Sequence, residues 1–257
     1  MYKDYLIVPD QHAHPDYNND RADWLGQFIK ERKPDVVVNM GDCWDLPSLS
    51  SFDKGKASFN GASYERDINA GLDFQERMWS PMKKTKKKQP HKVFLEGNHC
   101  HRIKKVLEYD PHLAGDRYGI SYKNLQLEDY YDDIVYYEGQ TPGIITLDGI
   151  SFAHFFVSGL MGRPIGGDHH ASSLLAKNYS SCVAAHSHTV DYAVRSGSNG
   201  KRIQGLVAGV YQDYASGWAG NVNHLWWSGL IYLKNVDDGV YDPEFISMAA
   251  LERAYAN

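Results

Sequence analysis

The feature that most constrains the fold is a series of short apolar runs that end in small or polar residues. YLIVPD at 5–10 and DVVVNMGD at 35–42 are the first two, and an amphipathic stretch around Trp24, Leu25 and Phe28 separates them. Continuous apolar residues, as opposed to alternating ones, are typical of strands that are buried on both faces. The opening therefore predicts a β-α-β unit with a fully buried strand at each end.

The rest of the chain continues this pattern after one long polar insertion at 46–90. Here the sequence predicts an irregular loop and then a helix over 65–82, whereas KVFLEG at 92–97 predicts a third strand, followed by a helix over about 102–109. Later apolar runs indicate a second, more antiparallel sheet. They are GIITLD, GISFAHFF, SSCVAAHSH, RIQGLVAGV and LWWSGLIYLKNV. The simplest account is one α/β domain over 1–257, with two packed sheets and helices outside.

Composition excludes several classes of protein. The formal net charge of -5 provides no general basic field for nucleic acid. No apolar run approaches the roughly 20 residues of a membrane span, and MYKDYLIVPD is too polar and too short for a signal peptide. Cys43, Cys100 and Cys182 are odd in number and lack zinc-finger spacing. We therefore expect a cytoplasmic protein in a reducing compartment, with no membrane partner.

Five of the apolar runs end in side chains that can bind metal ions. These side chains are Asp10 with His12, Asp42, Asn98 with His99, His154, and His186 with His188. Because ligands collect beyond the carboxyl ends of strands in α/β sheets, the five ends predict one shared site. Each motif alone has an ordinary interpretation, as a turn or as a core histidine. His186 and His188 form a stronger signal, since residues two apart in a strand point to one face.

The ligand types limit the choice of metal. Imidazole, carboxylate and one amide oxygen suit Mn²⁺, Fe or Zn²⁺, whereas Mg²⁺ and Ca²⁺ favour shells made of oxygen alone. The set holds more ligands than one ion needs, so we expect two divalent metal ions, with Mn²⁺ favoured and Fe, Zn²⁺ or Ni²⁺ as alternatives. Two-metal centres of this kind clamp a phosphate and generate hydroxide near neutral pH, which indicates phosphoester hydrolysis.

Taken in order, the motifs resemble those of the calcineurin-like metallophosphoesterases. They read Asp10-x-His12, Gly41-Asp42-x-x-Asp45, Gly97-Asn98-His99, His154 and His186-x-His188. The resemblance implies a four-layer αββα sandwich of two mixed β-sheets flanked by helices, with a di-metal site at one edge. The ligands that it implies for the first metal ion are Asp10, His12 and His188. Those for the second are Asn98, His154 and His186, and Asp42 bridges the two ions.

The resemblance also implies a catalytic pair. His99 would not bind metal but would donate a hydrogen bond or a proton to the leaving oxygen. Expelling an alkoxide requires such a donor, and histidine is the side chain that titrates near neutral pH. Asp45 is placed to pair with His99, and its alternative interpretation is a helix cap.

The sequence departs from the family pattern beside the ligands. Cys100 follows Gly-Asn-His where Asp or Glu is common, Ala185 replaces the usual Gly before His186, and Phe155 stands where Gly is frequent. None of these changes removes a predicted ligand. We expect Cys100 to pack or to support the site, and His101 to be exposed or to support a ligand.

The substrate is less constrained than the reaction. Leu46 stands where the protein serine/threonine phosphatases of this superfamily typically carry a phosphate-binding Arg, which favours a phosphodiester such as DNA or RNA. Candidate substrate contacts are Arg102, which could instead be a solvated helix residue, Arg163, His169, His170, the Lys run 83–88 and the loop 46–64. Trp218, Trp226 and Trp227 could stack bases, although packing is the simpler interpretation.

The leading hypothesis is a metal-dependent phosphodiesterase that acts on nucleic acid, as a DNA nuclease does, or on nucleotide-like diesters, with His99 as general acid. The first alternative is a phosphomonoesterase, either a nucleotide or a protein phosphatase, that uses the same centre. The second alternative is a non-catalytic binding scaffold, which would have no use for seven metal ligands and His99.

Overall fold

The computed structural model describes residues 2–83, 88–117 and 119–256, so most of the Lys run 83–88 lies outside the described residues. The helices are α1 (Asp20–Arg32), α2 (Tyr64–Lys83), α3 (Arg102–Tyr109), α4 (His170–Asn178) and α5 (Met248–Tyr255). Short 3-10 helices span Pro47–Leu49, Ala57–Phe59, Pro111–Leu113, Tyr122–Leu125, Leu127–Asp129 and Gly217–Leu225. The helices predicted over 65–82 and 102–109 are confirmed as α2 and α3.

The strands in chain order are β1 (Lys3–Val8), β2 (Val36–Asn39), β3 (His91–Leu95), β4 (Asp133–Val135), β5 (Ile145–Leu147), β6 (Ile150–Phe152), β7 (Val157–Ser158), β8 (Arg163–Pro164), β9 (Ser181–Ala184), β10 (Val190–Ser196), β11 (Arg202–Ala208), β12 (Gly229–Asp237) and β13 (Val240–Ser247). One sheet has the order β13-β12-β1-β2-β3-β4, a second has the order β10-β11-β9-β6-β5, and β7 pairs with β8. The fold is α/β with two mixed sheets, as predicted.

Both large sheets combine parallel and antiparallel pairs. In the first, β1 to β4 run parallel, whereas β12 and β13 are antiparallel to their neighbours. In the second, β11, β9 and β6 run parallel, and only the two edge strands β10 and β5 are antiparallel. Two of the four strand pairs in the second sheet are antiparallel, against two of five in the first, so the second sheet is the more antiparallel one by a small margin.

The prediction that the run LWWSGLIYLKNV belongs to the second sheet is wrong, because its strand, β12, lies in the first sheet. Ile231 of β12 pairs with Ile7 of β1, and β13 pairs with the other edge of β12. Residues Gly229 to Leu233 are all buried, so this segment needs partners on both edges and cover on both faces. A long apolar run indicates a central strand, but it does not identify the sheet.

Three apolar clusters explain why the early strands are continuously apolar. Leu6 and Val8 of β1 pack in a cluster with helices α1, α2 and α5. Tyr5 and Ile7, on the opposite face of β1, pack in a cluster with residues of the second sheet such as Phe152. The outer face of the second sheet packs on α4. Successive side chains of a strand point to opposite faces, so each face of β1 requires its own apolar set.

Within the described residues, no helix has both the length and the apolar character to cross a membrane.

Candidate metal centre

The metal-competent side chains follow the carboxyl ends of β1, β2 and β3 in the first sheet and of β6 and β9 in the second. The loops after β1 and β2 are joined by backbone hydrogen bonds: His12 N donates to Asp42 O at 2.9 Å and Ala13 N to Cys43 O at 2.7 Å. A third bond, from Ala185 N to His154 O at 2.9 Å, joins the segments after β9 and β6. These bonds hold the segments that carry the ligands.

One group of possible ligands consists of Asp10, His12 and His188, which are all buried. His12 Nε2 lies 3.1 Å from His188 Nε2, and His188 Nε2 lies 3.2 Å from Asp10 Oδ2. Asp10 Oδ1 is buried without a hydrogen-bond partner among the described residues. Two imidazoles and a carboxylate whose ligand atoms all lie within 4.8 Å of one another are a typical metal-ligand set.

A second group consists of Asp42, His154 and His186, and Asn98 adjoins it. His154 Nε2 lies 3.2 Å from Asp42 Oδ2 and 2.9 Å from Asn98 Oδ1. His154 Nδ1 lies 2.8 Å from Met40 O. A carbonyl can only accept, so Nδ1 carries a proton, and Nε2 is the atom that presents a lone pair to a metal ion when the ring is neutral. Three acceptor atoms then face one another, an arrangement that a cation stabilises.

Asp42 joins the two groups. It forms a further metal-capable group with His12 and His99, so its carboxylate lies near members of both sets. Asp42 Oδ1 accepts a hydrogen bond from His99 N at 2.8 Å, which orients the carboxylate. This position between the two groups is the one that the resemblance implies for a bridging ligand.

The pKa shifts fit a site built for positive charge. Burial opposes ionisation of Asp42, but His154 and His99 outweigh it and hold the Asp42 pKa well below its ordinary value. Burial likewise opposes protonation of His154, yet Asp42 and Asp10 raise its pKa to about 9. Two buried carboxylates thus attract a proton or a metal ion, because unpaired buried charge is costly.

For His186 and His12, the pKa shifts favour the neutral form that binds metal. Desolvation and the neighbouring His154 lower the pKa of His186 to about 4, although part of its side chain is exposed. Desolvation also lowers the pKa of His12. Neutral imidazole is the metal-binding form, so the described residues fit a divalent metal site. No residue of either group is a thiolate, as expected from the sequence.

Backbone conformation also distinguishes the site. His12, Asp42, His186 and His188 have φ values of 45°, 49°, 67° and 61°. Left-handed backbone is unfavourable for residues other than glycine and clusters at functional sites. The prediction that His186 and His188 share one face of a strand is wrong, because β9 ends at Ala184 and both residues follow in left-handed turns. These turns send His186 to one group and His188 to the other.

His99 lies between Asp45 and Arg102. Its Nδ1 is 2.8 Å from Asp45 Oδ1 and 2.7 Å from Asp45 O, and its Nε2 is 3.2 Å from Arg102 Nη2. Asp45 also lies 3.4 Å from His12 Nδ1, and it does not cap the 3-10 helix that begins at Pro47. Arginine can only donate, so Nε2 is an acceptor in this arrangement. Arg102 is therefore part of the site and not a solvated helix residue.

Three of the candidate substrate contacts are not brought to the site. Among the described residues, no contact joins Arg163, His169 or His170 to the metal-capable groups: Arg163 and His169 are exposed, and His170 is buried at the start of α4. Cys100 is buried in the cluster beneath the helices. His101 is also buried, 3.1 Å from Glu96 Oε1, so of the two alternatives given for it, an exposed position is excluded.

Sequence reasoning missed Arg21, which is fully buried. Its guanidinium donates to Gln11 O at 2.8 Å and pairs with Asp213 at 3.2 Å, so it supports the turn that carries His12. The sequence does contain a signal for this burial. Arg21 lies four positions before Leu25, so both residues face the buried side of an amphipathic helix.

No protein-family model matches this chain, and no curated protein matches its sequence.

Proposed function

We propose that this protein is a metal-dependent phosphoester hydrolase with the four-layer αββα fold of the calcineurin-like metallophosphoesterases, and that it acts on phosphodiesters. The observation that carries the proposal is the position of Asp42 between His12 on one side and His154 with His186 on the other. A single-metal site would not require a carboxylate shared in this way.

The ligands for the two ions would be those that the resemblance implies. They are Asp10, His12 and His188 for one ion, Asn98, His154 and His186 for the other, and Asp42 between them. When bound, two divalent cations, with Mn²⁺ favoured, would neutralise phosphate charge and supply hydroxide near neutral pH.

His99 would serve the leaving group. Asp45 fixes the ring through Nδ1, which leaves Nε2 as the atom that exchanges a proton. In the described arrangement Arg102 donates to Nε2, so a proton on Nε2 requires Arg102 to release it. We infer that a substrate phosphate takes over the guanidinium, because a phosphate oxygen accepts more strongly than a neutral imidazole. Substrate binding would thereby free Nε2 to act as general acid.

The preference for diesters depends on the cations around the site. Arg102 is held by Asp45 O at 2.7 Å and Leu46 O at 3.2 Å, and Leu46 stands where the related phosphatases carry Arg. A monoester dianion carries two negative charges and a diester carries one, so a site with one arginine in place of two favours the diester. A phosphomonoesterase is the second candidate, since the same centre could serve it.

Hydrolysis of bis(p-nitrophenyl) phosphate and of p-nitrophenyl phosphate, with Mn²⁺ added, tests the proposal. We expect faster turnover of the diester. Faster turnover of the monoester would support the second candidate. Activity on neither ester with Mn²⁺, Fe²⁺, Zn²⁺ or Ni²⁺ would contradict both and leave the non-catalytic scaffold.

A further inference from the structure

A cavity adjoins the first metal-capable group. Its volume is about 380 Å³, and its lining includes Gln212, Tyr214, Asn223, His224 and Trp226. Two of its walls touch the group directly. The ring centroid of Trp226 lies 4.3 Å from that of His188, with the planes at 85°, and Tyr214 Oη donates to His12 O at 2.6 Å. Trp226 and Tyr214 therefore place the cavity beside the first metal-capable group, although no member of that group lines it.

The cavity contains an unsatisfied acceptor. Gln212 is 4% exposed, and its Nε2 donates to Tyr214 O at 2.5 Å and to Ser216 Oγ at 3.0 Å. Because Tyr214 O can only accept, the orientation of the amide is fixed. Gln212 Oε1 is left buried with no hydrogen-bond partner among the described residues. A buried acceptor of this kind is costly unless a ligand donates to it.

The charge and shape of the cavity favour a neutral aromatic ligand. The described residues that line it include no Lys or Arg, so it is not built for a phosphate. The lining carboxylate Asp213 is paired with Arg21 at 3.2 Å, so it does not call for a cationic ligand. Beside it, Trp218 is 74% exposed, and its ring lies 5.7 Å from that of Trp226. Exposed indoles stack nucleobases, and each nucleobase in DNA or RNA presents ring or amino nitrogens beside its π-face.

We propose that this cavity binds the nucleobase next to the scissile phosphate, with Trp226 as the stacking surface and Gln212 Oε1 as the acceptor for a base N–H. The inference rests on the proposed phosphodiesterase function and narrows its substrate to nucleotide diesters. It assigns base contact to Trp226 and a supporting role to Trp218.

The test compares two substrates with the same leaving group. These are thymidine 5′-(p-nitrophenyl phosphate) and methyl p-nitrophenyl phosphate, which lacks a base. We expect the wild-type protein to have a kcat/KM about tenfold higher for the thymidine ester, the size of one stacking contact. Trp226→Leu should bring the ratio near one, and Trp226→Phe should keep most of it. Tyr109→Ala, which removes an exposed aromatic ring on α3, is the control that should leave the ratio unchanged.

A change in the substrate avoids any effect on folding or on His188. Methylation of thymine at N3 removes the N–H that Gln212 would accept, so we expect a kcat/KM about fivefold lower than for the unmethylated ester. Metal content of each Trp226 variant separates loss of stacking from loss of the centre. Hydrolysis of both esters at equal kcat/KM would overturn the base-binding inference and leave the proposed function intact. Hydrolysis of neither would overturn both.

Discussion

The two ends of the parallel strands carry the same kinds of side chain in different surroundings. Beyond the carboxyl ends, His99 lies 2.8 Å from Asp45, with 13% and 19% of the two side chains exposed. At the amino ends, His91 also lies 2.8 Å from Asp133, but 44% and 45% are exposed. The pair distance is the same, so burial and the number of converging groups distinguish the two ends.

The amino end shows what ordinary surface charge looks like in this fold. Lys3 pairs with Asp148 at 2.9 Å and Lys88 with Asp35 at 3.4 Å, around a cavity of about 750 Å³. Asp148 and Asp35 each have a lysine partner in a partly exposed position, and such pairs contribute little to stability. At the carboxyl end, carboxylates and imidazoles converge on one another in left-handed turns. Convergence of buried acceptors therefore indicates a site better than the size of a cavity does.

The largest expected effect comes from removing one carboxylate at each end. Asp42→Asn should lower metal affinity and diester hydrolysis by more than about a hundredfold, because residues that only support a ligand already reach that effect. Metal analysis of the purified variant and hydrolysis of bis(p-nitrophenyl) phosphate measure the two changes. Asp148→Asn is the matched control and should leave both at wild-type values. Equal metal content in the two variants would contradict the proposal that metal binds at the carboxyl ends of the strands and not at the amino ends.

Removing one histidine at each end tests catalysis apart from metal binding. His99→Ala should keep the metal ions but lower turnover of diesters with poor leaving groups by about 10²- to 10⁴-fold, the usual contribution of a general acid. Alkyl leaving groups should be affected more than p-nitrophenolate, which leaves without protonation. His91→Ala should change neither quantity. Loss of metal from the His99 variant would show that His99 is a ligand.

A smaller effect is expected from adding one methyl group. In Gly97→Ala the new Cβ would meet Asp42 Oδ1 at 2.1 Å and Asp42 N at 2.4 Å, so we expect a loss of about 1–3 kcal/mol in the free energy of unfolding. Metal affinity should fall with it. A Cβ added at Gly166 would meet no atom of the described residues within 4 Å, and Gly166→Ala should be neutral or slightly stabilising. Chemical denaturation of both variants checks the pair, and equal stabilities would argue against tight packing around Asp42.

The smallest expected effect is on the pH dependence of stability, through Asp148 at the amino ends of the strands. Burial opposes ionisation of Asp148, but Tyr5 and Lys3 outweigh it and lower its pKa below the ordinary value. The folded pKa is below the unfolded pKa of about 3.9, so the stabilisation is complete above that pH and is lost as the pH falls through the folded pKa. Because this carboxylate is partly exposed, we expect it to contribute less than about 1 kcal/mol to the free energy of unfolding. Acid unfolding of Asp148→Asn should lack this component, and a curve identical to wild type would contradict the shift.

The sequence was sufficient where the signal is local. The helix over 102–109 and the order of the ligands follow from short apolar runs and from the polar residues that directly succeed them. The structure brings six of the seven predicted ligands into two adjoining metal-capable groups, with Asn98 beside one of them and Asp45 beside His99. Adjacent residues carry that information, and no distant partner is needed to interpret it.

The rest depends on contacts between distant parts of the chain. The sheet that contains β12 is decided by its pairing with β1, more than two hundred residues earlier. The burial of Arg21 depends on Asp213 and on the carbonyl oxygen of Tyr211. The separation of His186 from His188 depends on left-handed backbone, which an alternation rule for strands does not include. Periodicity describes one element at a time, so these features could not be predicted from it.

The central claim is that Asp42 lies between two metal ions. Titration of chelator-treated protein with Mn²⁺, followed by electron paramagnetic resonance, tests it most directly. We expect two ions per chain and the exchange-coupled spectrum of a close pair, both of which Asp42→Asn abolishes. One ion per chain, no binding, or two magnetically isolated ions that do not depend on Asp42 would contradict the claim.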